Sequence, residues 1–483
     1  MSRETPFIAP SAAGGAPSFD PRFGFTSAPS PAAPSPAPSG ARAPPPTPLD
    51  PTPTGSALDA RSGARGPAMR GVARSALVGC LVDPFDKDAF EARVAQARAS
   101  FDLSDSRVRA HAGAAALAAL ERATKAKGAR PARAGSGGGG GGGSVQLVLG
   151  DEAFHLIGAA CAGADAVVFE GERFAVDDAN AADAADDSRG AFALKVQRAS
   201  LATWEWVVSE RLAERIPAWA APGFVRLSAL HLVGGEGSGA AAAASARVGV
   251  AAMPFGEHGT LQDALNSYLR VGERMDEVLV MYYAIELLRV VESLHAAGFL
   301  HADIKPDNVL LRNGGDAWRN WAGRRPGCWR EKGVALIDFG CAVDLSQFDS
   351  RVAFVGDVRT EGFRCAEMVE GRPWTFQCDT HQVAATVHAL LHGKYMRVAK
   401  GPVGYVPAEP LKRYWRRDLW TSFFAQLLNA PTRALDDPPP LGRLRRAFED
   451  YLETEGFGPK IRECLMRQTV AMYDQAKAAE ARK

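Results

Sequence analysis

From Val145 onward the chain shows short runs in which apolar and polar positions alternate. VQLVLG, AVVFEGERFAV and FALKVQ each place apolar side chains at every second residue, the pattern of antiparallel strands. TWEWVVSERLAERI changes to a spacing of three and four, which predicts a helix, and ARVGVAAM reads as a further strand. From Leu261 the helical period dominates, in TLQDALNSYLRV, EVLVMYYAIELLRVVESLHAAG, DTHQVAATVHALLHG, RDLWTSFFAQLL and KIRECLMRQTVAMYDQ. A strand-rich part followed by a helix-rich part predicts an α+β fold of two lobes with a cleft between them, divided near residue 253.

Upstream the pattern weakens. DPFDKDAFEARVAQARASF (Asp83 to Phe101) predicts a helix: Asp83 can cap a turn, Pro84 fits a first helical turn, and good helix formers follow. A second helix is expected from about Ser106 to Lys125, so residues 81–127 read as a helical extension packing on the strand-rich lobe. KGARPARAGSGGGGGGGS reads as a flexible linker, residues 128–144. The alanine runs at 112–120 and 240–245 read as helix and loop filler. Residues 1–80 are rich in Pro, Ala, Ser and Gly, with too little apolar surface to offset the entropy of ordering, and are expected to be disordered. Thr5, Ser30, Ser35, Thr47 and Thr52 each precede a proline, a pattern that suits proline-directed phosphorylation and also arises by chance in such a tail.

Composition narrows the classes. The formal net charge is +1 at pH 7, so no long-range field points to nucleic acid or to an anionic membrane. The seven cysteines are scattered without a C-x-x-C pair and read as reduced thiols. No apolar run approaches the roughly 18 residues of a membrane span. The start lacks the charged and apolar segments of a secretory signal, and its acid-poor bias runs well past a normal transit peptide.

The chemistry concentrates in HADIKPDN. Asp303 can accept a hydroxyl proton or orient a nucleophile, Lys305 can neutralise charge on a phosphoryl group, and Asn308 can hold a metal ion. VALIDFG ends an apolar strand at Asp338, a carboxylate suited to Mg²⁺ beside a mobile glycine. FALKVQ sets Lys195 in a strand, with Glu205 or Glu210 on the next helix to pair with it and orient ATP phosphates. The glycine segment LIGAACAGADAVVFE is irregular. It keeps Gly158 and Gly163, and the most economical alignment puts Gly163-Ala164-Asp165-Ala166 at the turn and Val168 over the adenine, with a short insertion after Gly158. Met253 falls where the lobes join, so backbone groups around Phe255 and Gly256 are expected at the adenine edge. In this order the pieces match the protein-kinase signature set, with ATP and Mg²⁺ as its cofactors.

Longer stretches are more specific. LKVQ followed by WEW, then GTLQDALNSY, HADIKPDNVLL, ALIDFGCAVDLSQF, TEGFRCAEM, PWTFQCDTHQVAATVHALLHGKYM and DLWTSFFAQLLN resemble the kinase domain of the Bub family of spindle-assembly-checkpoint serine/threonine kinases, over about Val145 to Gln475. DPFDKDAF resembles the extension that precedes that domain. The resemblance implies a bilobal kinase fold and ATP–Mg²⁺-dependent phosphorylation of Ser or Thr on kinetochore proteins and a core histone tail. It also implies checkpoint proteins as partners, and a nuclear, kinetochore setting with cytoplasm in interphase. The family's W-E dipeptide falls at Trp204-Glu205, which favours Glu205 over Glu210. The first 80 residues show none of the helical repeat of a tetratricopeptide domain. The alternative is a weak or inactive kinase-fold scaffold, suggested by the irregular glycines. A small-molecule phosphotransferase fits less well with Lys305-Pro306 and GFRCAEM.

Regulated kinases carry arginine after the histidine of this loop, where it pairs with an activation-loop phosphate. Ala302 cannot do so, and neither can the glycine usual in the family. The loop must then be held by packing, with Phe363 and Met368 as expected anchors. Glu361 is read either as a fixed substitute for a phosphorylated residue or as a solvated acid. His301 is expected to support the Asp338 turn by packing, and Asp379 to cap its helix and fix the catalytic loop. The insert Gly314 to Gly333 is either a partner surface or a tolerated loop.

Overall fold

In the computed structural model the described residues are 80–99, 101, 105, 107–111, 118, 120, 145–149, 152–162, 166–175, 191–235, 239–313, 320–321, 332–358, 360 and 362–481. The tail, the glycine linker, Gly163 and Glu361 therefore lie outside them.

The chain enters through strand β1 (Cys80–Val82), helix α1 (Lys87–Ala99) and strand β2 (Val108–His111). Strands β3 (Val145–Leu149), β4 (Glu152–Ala162), β5 (Ala166–Ala175) and β6 (Ala191–Arg198) follow. Helix α2 (Ala199–Arg215), strand β7 (Ala229–Val233), helix α3 (Gly239–Ser245) and strand β8 (Val248–Pro254) complete the strand-rich lobe. One sheet runs β2-β7-β8-β6-β5-β4-β3, antiparallel except for the β2/β7 pair. Its period of two sends Leu147, Phe154, Phe169, Leu194 and Val196 to one buried face. On the other, Ala202 and Trp206 of α2 pack on Leu230, Leu232 and Ala251.

The second lobe is helical. Helix α4 (Leu261–Arg270) starts at Thr260, whose hydroxyl accepts the Asp263 N–H while the Asp263 carboxylate accepts the Thr260 N–H, a reciprocal cap. Helix α5 (Glu277–Ala296) is apolar almost all round and is correspondingly buried. Short strands β9 (Phe299–Leu300), β10 (Val309–Asn313), β11 (Lys332–Leu336), β12 (Val343–Asp344) and β13 (Val352–Phe354) carry the chain along the cleft. Helices α6 (Ala366–Val369) and α7 (Gln377–His392) follow, and every residue of α7 is buried. The hairpin β14 (Val398–Gly401) and β15 (Gly404–Pro407) precedes α8 (Arg417–Leu428), α9 (Leu441–Thr454) and α10 (Gly458–Ala481). Trp420, Phe423 and Phe448 interlock α8 with α9 beneath α5. The expected two-lobed α+β architecture is present.

Three local expectations need correction. A second helix was expected from about Ser106, yet 108–111 is a strand, held parallel to β7 with Val108 opposite Leu230. Tertiary pairing at a sheet edge outweighs local propensity there. Pro84 lies outside α1, whose first residue is Lys87, in a turn capped as expected by Asp83. The Asp83 carboxylate accepts the Phe85 N–H, and Asp86 caps the helix by accepting the Ala89 N–H at 2.8 Å. The extension is also not confined to the strand-rich lobe. β1 pairs with β13 in register Cys80–Val352, and Phe85 stacks on the buried Trp374 at 6.0 Å. Gly356 follows β13 at φ 92°, where a side chain would collide with Asp83. Helix α9, whose RLRRAFEDYLE is rich in charge, is an element that the apolar pattern alone did not bring out. No helix among the described residues is long and apolar enough to cross a membrane.

Val94 is fully buried where α1 meets Trp204 and Val208 of α2. Val94→Asp places a carboxylate there without a partner, at a cost of at least about 3 kcal/mol. Hydrogen exchange should show residues 87–99 detached while residues 277–296 keep their protection.

Candidate active site

Alternation in β6 puts Lys195 and Gln197 on one face, opposite Leu194 and Val196. Both reach into α2. Lys195 Nζ donates to Glu205 Oε1 at 2.5 Å, and Gln197 Nε2 donates to Glu205 Oε2 at 2.5 Å. Glu210, five residues on, faces away and binds Arg107 and Arg226. Lys195 also donates to Asp338 Oδ1 at 2.8 Å. One ammonium thus lies between two carboxylates, all three side chains largely excluded from water. Burial and the neighbouring Asp338 charge push the Glu205 carboxyl up to about 7, against the pull of Lys195. Burial works against ionisation of Asp338 too, but Lys195 dominates and holds that carboxyl well below its usual range. Gln197 had no assigned role in the sequence reading, although LKVQ carried it.

Asp338 sits in the left-handed region at φ 65°, turning the chain sharply after β11. The catalytic-loop candidates lie alongside. Lys305 is extended, as a residue before proline must be, and Pro306 opens a tight turn that brings Asn308 back over Asp303. Asn308 Nδ2 donates to the Asp303 carbonyl and to Asp303 Oδ2, each at 2.9 Å, and Lys305 Nζ donates to Oδ2 at 2.9 Å. Burial opposes the Lys305 charge, but Asp303 wins and raises the lysine above its ordinary value. The other oxygen, Oδ1, accepts the Thr360 hydroxyl at 2.7 Å. Sequence reasoning missed Thr360. Its only signal was its place just ahead of GFRCAEM.

The loop is held from below. Asp379 accepts the His301 N–H at 3.0 Å and the Ala302 N–H at 2.8 Å, and meets His295 Nε2 at 2.9 Å. Burial would raise this carboxyl, but His295 and these N–H groups lower it. Asp379 lies inside the first turn of α7 rather than at its cap, which Phe376 occupies. Ala302 is buried at φ 61°. His301 Nδ1 accepts the Asp303 N–H, so Nε2 carries the proton and donates to the Ile337 carbonyl at 3.0 Å, with the ring on Phe339.

Asn308 and Asp338 are brought close by strand pairing, since β10 and β11 are antiparallel and the Ile337 N–H donates to the Asn308 carbonyl at 3.1 Å. Asn308 Oδ1 is buried without a hydrogen-bond partner. An amide oxygen and a carboxylate fit a hard cation that takes its remaining ligands from phosphate and water, as Mg²⁺ does. Among the described residues no group of three or more His, Cys, Asp or Glu could hold a metal by itself.

In the strand-rich lobe, β4 and β5 pair antiparallel, and their register shifts between Leu156 and Gly158 and between Ala159 and Cys161. Gly158 lies opposite Glu170, and Val168 opposite Lys195. Met253 is next to last in β8, opposite Ala193. The Phe255 N–H donates to the Ala191 carbonyl, and the Gly256 carbonyl accepts the Gly259 N–H. Phe363 is buried against Tyr395, and Met368 is buried in the cluster around Trp374. In the insert, Trp321 is buried rather than presented to a partner.

A strand lysine bound to a helix glutamate, an Asp–Lys–Asn loop and a left-handed aspartate turn define a protein kinase. The protein kinase domain family matches residues 249–401. The chain is 38% identical to the mitotic checkpoint serine/threonine-protein kinase BUB1 of Arabidopsis thaliana, over 58% of this chain and 52% of that protein. It is 37% identical to the spindle assembly checkpoint serine/threonine-protein kinase bub1 of Schizosaccharomyces pombe, over 43% of this chain and 21% of that one. The solved BubR1 kinase domain shares the fold, with a TM-score of 0.56 over 74% of this chain and 97% of that one at 24% identity. Over its kinase domain the chain is thus similar to mitotic checkpoint kinases of the Bub family. The chain spans about half the length of the Arabidopsis relative.

Because Glu205 holds its proton to about 7 in the folded protein and only to its ordinary 4.5 when unfolded, its contribution to stability is complete below pH 4.5 and is lost as pH rises through 7. Denaturant midpoints from pH 5 to pH 8 should fall more steeply for the parent protein than for Glu205→Gln.

Proposed function

We propose that this chain is an ATP- and Mg²⁺-dependent protein kinase that phosphorylates Ser or Thr in the spindle-assembly checkpoint, with kinetochore proteins and a core histone tail as substrates. The observation that carries the reading is the Asp303 carboxylate. One oxygen is bound by Lys305 and Asn308 and the other by the Thr360 hydroxyl, at the floor of a cleft whose roof supplies Lys195. Such a carboxylate is oriented before substrate arrives, which suits a reaction that needs mainly positioning and charge neutralisation.

In this reading Lys195 holds the ATP phosphates, and Glu205 and Gln197 keep the lysine extended along the sheet. Asp303 orients the substrate hydroxyl and takes its proton at a carboxylate oxygen. Lys305 stays charged beside it and offsets negative charge on the transferred phosphoryl group. Asn308 Oδ1 and Asp338 would hold Mg²⁺, which would supply charge neutralisation at the phosphates. The Phe255 carbonyl and Gly256 N–H meet the adenine, with Val168 above it and Met253 at the lobe junction. The names of the relatives, mitotic and spindle-assembly checkpoint kinases, support a nuclear, kinetochore setting. No observation favours an inactive scaffold.

The test is transfer from labelled ATP with Mg²⁺ onto nucleosomes and onto free core histones. The parent chain should label a histone Ser or Thr. Asp303→Asn should lower kcat by about 10²-fold or more while ATP still raises the Tm. Asp338→Asn should lose both the transfer and the Mg²⁺-dependent part of the Tm shift. ATP binding without transfer by the parent chain would favour the scaffold instead.

A further inference from the structure

Ala302 removes the arginine through which a phosphorylated activation loop is ordinarily held, yet the helix carrying Glu205 stands in its paired position. Another link must set that helix. Asp344, six residues beyond Asp338, has a side chain fully excluded from water. Arg211 Nη1 donates to its Oδ2 at 2.6 Å, and Arg215 Nη1 to its Oδ1 at 2.9 Å. Both arginines are on α2, about one and two-thirds turns and nearly three turns beyond Glu205. Arg215 also donates to Ser346 Oγ at 3.1 Å, and its guanidinium lies over the Phe299 ring at 4.8 Å.

The carboxylate is itself fixed. Ser346 donates to Oδ1 through its backbone N–H at 3.1 Å and its hydroxyl at 2.7 Å. Asp344 is paired in register with Phe299, and the next residue, Leu345, donates its N–H to the Gly298 carbonyl. So Asp344 is anchored to the helical lobe and grips the helix of the other lobe. Two guanidinium groups around one anion is the environment that a phosphate recruits. Burial opposes the charge, but Arg215, Ser346 and Arg211 hold the carboxyl below its usual range, so the grip persists at neutral pH. A buried ion pair adds little net stability, whereas loss of one partner strands the other, which favours a role in geometry.

We propose that Asp344 is a positioning residue for phosphoryl transfer: through Arg211 and Arg215 it holds the helix that bears Glu205, in place of an arginine–phosphate pair in the activation loop. The inference rests on the kinase reading above and assigns that site a link that needs no phosphorylation.

The experiment compares the 483-residue chain with Asp344→Asn, with the milder Arg211→Ala, and with the Arg211→Ala/Arg215→Ala/Asp344→Asn combination. Hydrogen exchange is read at residues 204–215 and 277–296, and initial rates on core histones against ATP and histone concentration. Asp344→Asn should speed exchange at 204–215 about tenfold, without change at 277–296. It should lower kcat by about 10²-fold with KM for histone moved less than about threefold. Arg211→Ala should fall between, and the combination should be no worse than Asp344→Asn, because all three changes break one link. Unchanged exchange at 204–215, equal loosening of both segments, or an unchanged kcat overturns the proposal. If the parent chain transfers no phosphate, the kinase reading fails, and the exchange comparison still decides whether Asp344 holds the helix.

Discussion

Lys195 is the only cation bonded to the Glu205 and Asp338 carboxylates among the described contacts, and all three groups are withdrawn from water. A lone buried charge is costly, and removing one partner of such a set costs roughly 3–5 kcal/mol. The set therefore specifies geometry more than it adds stability. A strand, a helix and a turn more than 130 residues down the chain must all be in place before the charges balance. The packing around it follows from that demand. Gly249 of β8 faces Ala202 of α2 so closely that a side chain there would overlap it, which lets the helix lie near enough for Glu205 to reach the strand. Trp204 Nε1 donates to the Ala342 carbonyl at 2.9 Å, tying the same helix to the segment after Asp338. Phe90 and Arg93 of α1 press on the outer side of Trp204.

A second buried carboxylate does comparable work in the lower lobe. Ala302 occupies a left-handed conformation that costs an alanine about 1–2 kcal/mol. Asp379 offsets this with two hydrogen bonds from backbone N–H groups to a charged acceptor, each stronger than a neutral one. The result is a loop whose direction is set by the protein interior rather than by a side chain at position 302. The strain thus lies directly beneath Asp303, where a small change of direction would move the carboxylate out of reach of Thr360 and Asn308.

How much was legible in the sequence follows from the distance over which each feature is determined. Asp303, Lys305 and Asn308 contact one another within five residues, so their spacing already contains their geometry. Lys195 was readable because a lysine in an alternating apolar strand is conspicuous. Its partner was not readable from spacing, since Glu205 and Glu210 both lie on α2 and only the seating of the helix tells them apart. Thr360 meets Asp303 across 57 residues, and its place ahead of GFRCAEM gives no hint of that partner. The strand at 108–111 exists because an edge of β7 is available to it, which no window of residues can reveal. The bonding of Phe255 is hidden for a related reason: its N–H completes the sheet by donating to the Ala191 carbonyl, more than 60 residues earlier.

The two carboxylates that share Lys195 are not equivalent, and the difference suits the proposed chemistry. Asp338 is the one kept ionised, and it is the one whose oxygen is needed beside Asn308. Glu205 ionises only near neutral pH while Asp338 remains on the lysine. In the proposed reading, were Asp338 to turn its charge toward bound phosphates, its repulsion of Glu205 would weaken and the Lys195–Glu205 pair would become more fully ionic. The lysine would then remain fixed at the moment it must bear on phosphate. In the proposed reading the lysine would thus exchange its main partner from Asp338 to Glu205, provided α2 holds its place. The rigidity of that helix, set at one end by Trp204 and at the other by Arg211 and Arg215, is what the exchange requires.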